Sequence, residues 1–173
     1  MNSLEILQAL KRLCCNHVGV YAADRLPRAW TRSTAIVANT DEHDKPGTHW
    51  VAFYIDEHGA GTYFDSYGLP PHTDQRFLMR LRRNSVTYRW NTVQLQGLFS
   101  QTCGHYCCVF LYYQSRGYNL EQFLQLFSDD YNFNDKIIVR LYHKIFSRNR
   151  NKFTKHCTSC CSVQSCTFKK NFK

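Results

Sequence analysis

No stretch of the sequence approaches the roughly 18 consecutive apolar residues that a membrane-spanning helix requires, so no crossing of a bilayer is expected. The first residues, Met1-Asn2-Ser3-Leu4-Glu5, lack the basic run followed by an apolar one that marks a secretory signal. No repeat or low-complexity tract precedes the last part of the chain, which argues against a solenoid or a fibrous array. Acidic residues are missing altogether after Asp135. Together these absences exclude membrane, secreted and repeat classes and leave the expectation of a soluble intracellular domain. At 173 residues and 20.4 kDa the chain fits one domain. A chain of this size buries about 70% of the surface its unfolded form exposes, so it needs no disulfide scaffold. Aromatic residues make up 15% of it, which suits a strand-containing core rather than a coiled coil.

The net charge of +9 is unevenly distributed. From Lys136 onward there are ten Lys and Arg against no acid, giving +10, while the first 135 residues hold twelve against thirteen acids, giving −1. A basic end on a near-neutral body favours a polyanion, most often nucleic acid. A solvated basic helix followed by a loose tail is the alternative reading. Nine cysteines fall in three groups: Cys14 and Cys15; Cys103, Cys107 and Cys108; Cys157, Cys160, Cys161 and Cys166. An odd count with three adjacent pairs makes a poor disulfide framework, so reduced thiols are expected, at least one of them kept for reactivity.

Patterning predicts an α+β chain, with strands clustered between residues 33 and 95 and helices around them. Asn2 with Glu5 forms a capping box for a helix bearing Leu4, Ile6, Leu7, Leu10 and Leu13. Pro27 and its polar surroundings read as a loop. Strands are expected over 33–39, 49–56, 62–65 and 86–90, and a helix carrying Phe77, Leu78 and Leu81 is expected to be capped by Thr73. Three helices close the chain: Cys103 to Arg116, stopped by Gly117, then 120–127 and 136–146.

Cys103 is the cysteine placed where a loop meets a helix, and a helix N-terminus lowers a thiol pKa. Gly104 beside it leaves room for a substrate backbone. Cys107 and Cys108 read instead as buried, inert thiols. A cysteine nucleophile needs a histidine base held by a third group. His49 opens the strongest strand and Asp65 closes the next one, at the same end of a hairpin. A simple register sets Asp65 opposite residue 52 or 53, so the pairing calls for a bulge or bend at His49. Taken singly, His49 also reads as a strand-edge histidine and Asp65 as a turn former. An oxyanion donor completes such a site, and Gln94, Gln96 and Gln101 all lie in the loop before Cys103.

The order His49-Trp50, Tyr63-Phe64-Asp65-Ser66, Gln96, Cys103-Gly104 resembles the cysteine proteases that include the adenovirus endoprotease and the SUMO-specific proteases. Ala35-Ile36-Val37 with Asn39-Thr40, Gly47-Thr48-His49-Trp50-Val51-Ala52-Phe53, and the doubled cysteine Cys107-Cys108 are similar to the adenoviral side; proteases of this type are also encoded by Maverick/Polinton DNA transposons, which the sequence resembles most. The resemblance spans about residues 17–125. It implies a papain-like α+β core over 1–148 and a basic Cys-rich tail, expected to be disordered, over 149–173. It implies His49 as base, Asp65 as orienting acid, Cys103 as nucleophile, Gln96 as oxyanion donor, and Trp50 packed beside the histidine. The implied activity is a cysteine endopeptidase cutting viral or transposon capsid and core precursors at Gly-Gly-containing sites, in the host nucleus or virion. No cofactor is implied for the chemistry. Activation by DNA, through the basic C-terminal region, and by a short peptide is implied, with a monomer as the acting species. Two positions depart from the adenoviral pattern: Asp65 stands where Glu is usual, and Ser85 stands where the activating peptide's disulfide cysteine would be, so that covalent link is not expected. Two alternatives are an isopeptidase acting on ubiquitin-like modifiers and a basic nucleic-acid-binding remnant that no longer cuts. His156, Cys157, Cys160, Cys161 and Cys166 could hold zinc through a Cys-x2-Cys knuckle, but no second knuckle stands at the usual distance, so no metal site is expected.

Overall fold

The computed structural model describes residues 1–147, so the Cys-rich tail, with its zinc and disorder readings, lies outside the described residues. A five-stranded mixed sheet runs in the order β1 (His17–Tyr21), β2 (Thr34–Asn39), β3 (Trp50–Ile55), β4 (Ala60–Phe64), β5 (Thr87–Trp90). β2, β3 and β4 are antiparallel neighbours, while β1 and β5 add in parallel at the two edges. The fold is α+β, as the patterning predicts. β1 lies outside the expected strand cluster. Its His-Val-Gly-Val-Tyr sequence is a half-buried edge strand interrupted by glycine, which carries little alternation signal.

Side chains of the central strands alternate between two buried faces. Ala35, Val37, Ala52, Tyr54 and Phe64 point to one core, shared with α1 (Ser3–Leu10), α3 (Cys103–Gln114), α4 (Leu120–Leu124) and α5 (Tyr131–Phe146). Ile36, Ala38, Val51, Phe53, Ile55 and Tyr63 point to the other, closed by Phe77 and Leu81 of α2 (Gln75–Asn84). Every residue of β2 is buried for this reason. α3 is apolar all round and sits in the first core, where Phe110 stacks on Phe64 at 4.6 Å between ring centroids. The Asn2–Glu5 capping box forms as expected. The α2 cap is Asp74 rather than Thr73: its carboxylate takes the Arg76 N–H, while Thr73 belongs to a preceding short turn. α4 ends three residues earlier than expected, and α5 begins five residues earlier, capped by Asp130. Among the described residues no helix is long and apolar enough to cross a membrane.

Candidate active site

Three of the four proposed site residues meet at one end of the sheet. His49 lies one residue before β3, its carbonyl still accepting the Thr40 N–H at 2.9 Å. Asp65 lies one residue beyond β4. The register pairs Ala52 with Phe64, so Asp65 continues opposite Val51, one residue nearer His49 than a simple hairpin suggests. With both residues just past their strands, no bulge is needed, and His49 Nε2 lies 2.9 Å from Asp65 Oδ1. α3 begins at Cys103 and brings its thiol close enough to the imidazole for each to shift the other's pKa. With Nε2 engaged by Asp65, Nδ1 is the ring nitrogen left for the thiol.

The electrostatics separate charge across this contact. Burial pulls the imidazole down, but hydrogen bonds to Asp65 and Cys103, and the charges of both, more than offset it and raise His49 to about 9. Burial pushes the Cys103 thiol up; the His49 hydrogen bond and charge, together with the N–H groups of Trp50 and Gly104, outweigh that and bring it below the ordinary thiol value. Both shifts run toward a thiolate–imidazolium pair.

Gln96 is buried and reaches the site through Tyr67, whose ring lies against His49. Its Oε1 accepts from Ser66 Oγ at 2.7 Å, and its Nε2 donates to Ser100 O at 2.7 Å and Tyr67 Oη at 3.3 Å. Of its two competitors, Gln94 spends its amide on the Gln96 carbonyl at 2.8 Å, and Gln101 is exposed. Cys107 and Cys108 are fully buried, and burial drives both thiols upward, so they behave as packing groups. Cys107 Sγ donates to Trp50 O at 3.3 Å, which ties α3 to the start of β3.

Two functional neighbours escape sequence reasoning. Tyr67 carries the ring tilted over His49, with centroids 4.8 Å apart, whereas Trp50 packs toward the core and donates its indole N–H to Met1 O at 3.2 Å. Asn91 is buried and braces the Asp65 backbone from both sides: its Oδ1 accepts the Asp65 N–H at 3.0 Å and its Nδ2 donates to Asp65 O at 2.6 Å. Tyr67 lies inside a Tyr-Gly-Leu-Pro-Pro chain break and Asn91 in an unpatterned segment, so neither offers a periodicity signal. Among the described residues no group of three or more His, Cys, Asp or Glu could hold a metal ion.

The chain is 32% identical to the protease of human adenovirus A serotype 12, over 47% of this chain and 46% of that protein. It is 27% identical to a protein of Acanthamoeba polyphaga mimivirus named as a thiol protease, over 77% of this chain and 45% of that one. The chain is similar in sequence to viral proteases. It spans less than half the length of the curated relatives it matches. No protein-family model matches it. Its fold resembles the Chlamydia trachomatis effector protein ChlaDUB1, with a TM-score of 0.50 and 13% identity over 84% of this chain and 71% of that one. At that identity the likeness speaks for the α+β fold alone.

Proposed function

We propose that the chain is a cysteine endopeptidase of the adenain type that cleaves viral or transposon-encoded structural precursors at Gly-Gly-containing sites. The observation that carries this reading is the His49–Asp65 contact at 2.9 Å beside the Cys103 thiol, with the thiol lowered and the imidazole raised. The Cys103 thiolate attacks the scissile carbonyl carbon, forming a C–S bond and an oxyanion. His49 gives its proton to the leaving amine as the C–N bond breaks. Water, with His49 taking its proton, then cleaves the thioester and frees the thiolate. Gln96 and the Cys103 N–H hold the oxyanion. Gln96 is preset for this, since substrate displaces only the longer of its two donor contacts, the one to Tyr67. Gly104 lets a Gly-Gly backbone pass close to the sulfur. DNA bound by the basic C-terminal region, and a peptide held without a disulfide, stimulate the monomeric enzyme in the host nucleus or virion.

The test is cleavage of a Gly-Gly-containing capsid-type peptide against a ubiquitin-like fusion, with iodoacetamide alkylation of Cys103 as the chemical readout. Preferential cutting of the peptide supports the proposal. Preferential cutting of the fusion reassigns the enzyme as an isopeptidase. Salt-sensitive DNA binding with neither cutting nor thiol reactivity makes it a remnant. Gln96→Ala lowers kcat by about 100-fold with the fold intact, as for loss of one oxyanion donor; unchanged turnover removes Gln96 from the mechanism.

The charge pair also sets the pH dependence. The active form needs Cys103 deprotonated and His49 protonated, so kcat/KM rises through the lowered thiol pKa and falls as pH passes about 9, where the imidazolium is lost. Asp65→Asn removes a charge and a hydrogen bond that raise His49, so the alkaline limb moves down from about 9. An alkaline limb unmoved in Asp65→Asn refutes the assignment of Asp65.

A further inference from the structure

α5 follows the stretch that carries the adenain resemblance, yet two of its consecutive residues hold the loop that joins Gln96 to Cys103. Asn134 is fully buried and donates Nδ2 to Leu95 O at 3.2 Å and to Ser128 O at 2.7 Å. Asp135 then grips the loop at both ends. Its Oδ2 accepts the Gly97 N–H at 3.2 Å, directly after Gln96, and its Oδ1 accepts the Thr102 hydroxyl at 2.7 Å, directly before Cys103. Ser100 sits between them, its hydroxyl 2.6 Å from Thr102 Oγ1 and its carbonyl accepting the Gln96 amide. Gly97 comes so close that an added Cβ would lie 3.1 Å from Asp135 Oδ2. Leu98 and Phe99, at the tip, are largely and fully exposed, so the tip contributes little burial to hold the loop in place.

We infer that Asp135 is a positioning residue: one carboxylate on α5 that fixes the spacing between the oxyanion donor Gln96 and the nucleophile Cys103. This inference rests on the endopeptidase reading. The reasoning is geometric. Thr102 is the N-cap of α3, but its side chain makes no capping bond to the helix. Its hydroxyl is free to anchor to α5, and the helix start is set by that anchor. Gly97 lies outside any strand, and the carboxylate is the acceptor for its N–H. A carboxylate has two oxygens, each with lone pairs, and can serve both donors at once. Asparagine cannot: with its carbonyl on Thr102 Oγ1, its NH2 faces the Gly97 N–H, donor against donor. Alanine serves neither. The Cys103–His49 contact does not pass through Asp135, so thiolate formation is independent of the clamp while transition-state alignment depends on it. Misplacement by about 1 Å can cost on the order of 100-fold in rate.

The experiment compares wild type, Asp135→Asn and Asp135→Ala in the full chain. It reads kcat and KM on a Gly-Gly peptide, Cys103 alkylation by iodoacetamide between pH 5 and 9, and amide hydrogen exchange of residues 96–102. The expected result is a kcat lower by about 30- to 100-fold in Asp135→Ala and by less in Asp135→Asn. KM stays within about threefold, the alkylation profile is unchanged, and exchange is faster in the loop. A kcat equal to wild type in Asp135→Ala overturns the inference, as does an alkylation rate that falls in step with kcat, which would mean general disruption of the site. A wild-type chain that neither cuts the peptide nor shows an activated thiol instead overturns the endopeptidase reading, and the inference with it.

Discussion

Replacing His49 with alanine should lower kcat/KM by at least about 1,000-fold and remove the fast phase of Cys103 alkylation below pH 7. General acid–base catalysis alone contributes roughly 100- to 10,000-fold, and here the same side chain also lowers the Cys103 thiol pKa. Of the influences on Cys103, burial is the largest and pushes the thiol up; the two next largest, the hydrogen bond and the charge of His49, bring it down. In His49→Ala only the N–H groups of Trp50 and Gly104 remain to oppose burial. The thiol then returns to its ordinary value of 9.0 or above it. Such a thiol is only about 1% ionised at pH 7, and no proton donor is left for the leaving amine. The fold should persist, because His49 precedes β3 and its strand-like pairing with Thr40 uses the backbone. Alkylation at pH 6 is the measurement. A rate within a few-fold of wild type would mean that the helix terminus alone activates Cys103, and that His49 plays some other part.

What was legible in the sequence follows from how each feature is encoded. The central strands were readable because burial on both faces forces apolar residues into short runs, as in Thr34–Asn39 and Trp50–Ile55. β1 was not, because an edge strand joined in parallel takes its stability from a partner that starts seventeen residues away, His17 with Thr34. The early start of α5 was hidden by Asn132 and Asn134, which are poor helix formers. Asn134 is there to reach Leu95 and Ser128, so tertiary contacts override local propensity. His49, Asp65, Gln96 and Cys103 could be named together because their order resembles that of a known protease group, and the structure brings His49, Asp65 and Cys103 together. Tyr67, Asn91 and Asp135 could not. Each acts on backbone or ring positions set by a distant segment, which leaves no mark in local pattern.

Asn91 gives the second large effect, on stability rather than on chemistry alone. It is 1% exposed, and its Oδ1 is the acceptor for the Asp65 N–H at 3.0 Å. Its Nδ2 bridges Asp65 O at 2.6 Å and Val93 O at 3.1 Å. Asn91→Ala leaves that N–H buried with no partner, while Asp65 O keeps a bond from Gly68 N at 2.8 Å. One orphaned donor costs about 1–3 kcal/mol, and the small cavity left behind adds to it, for a total of about 2–4 kcal/mol. For a chain of this length the melting temperature should fall by about 5–12 °C. A loss of stability alone would not distinguish Asn91 from any core residue, so the comparison is with Leu81→Ala. Leu81 is fully buried on the opposite face of the sheet, and its truncation costs a similar ~2–5 kcal/mol. At 25 °C, with both variants folded, Leu81→Ala should keep the wild-type kcat. Asn91→Ala should lose about 10-fold, because the Asp65 carboxylate is carried on the backbone that Asn91 fixes. Equal kcat in the two variants would assign Asn91 to the fold and leave the orientation of Asp65 to Tyr67 N, which donates to its Oδ1 at 2.8 Å.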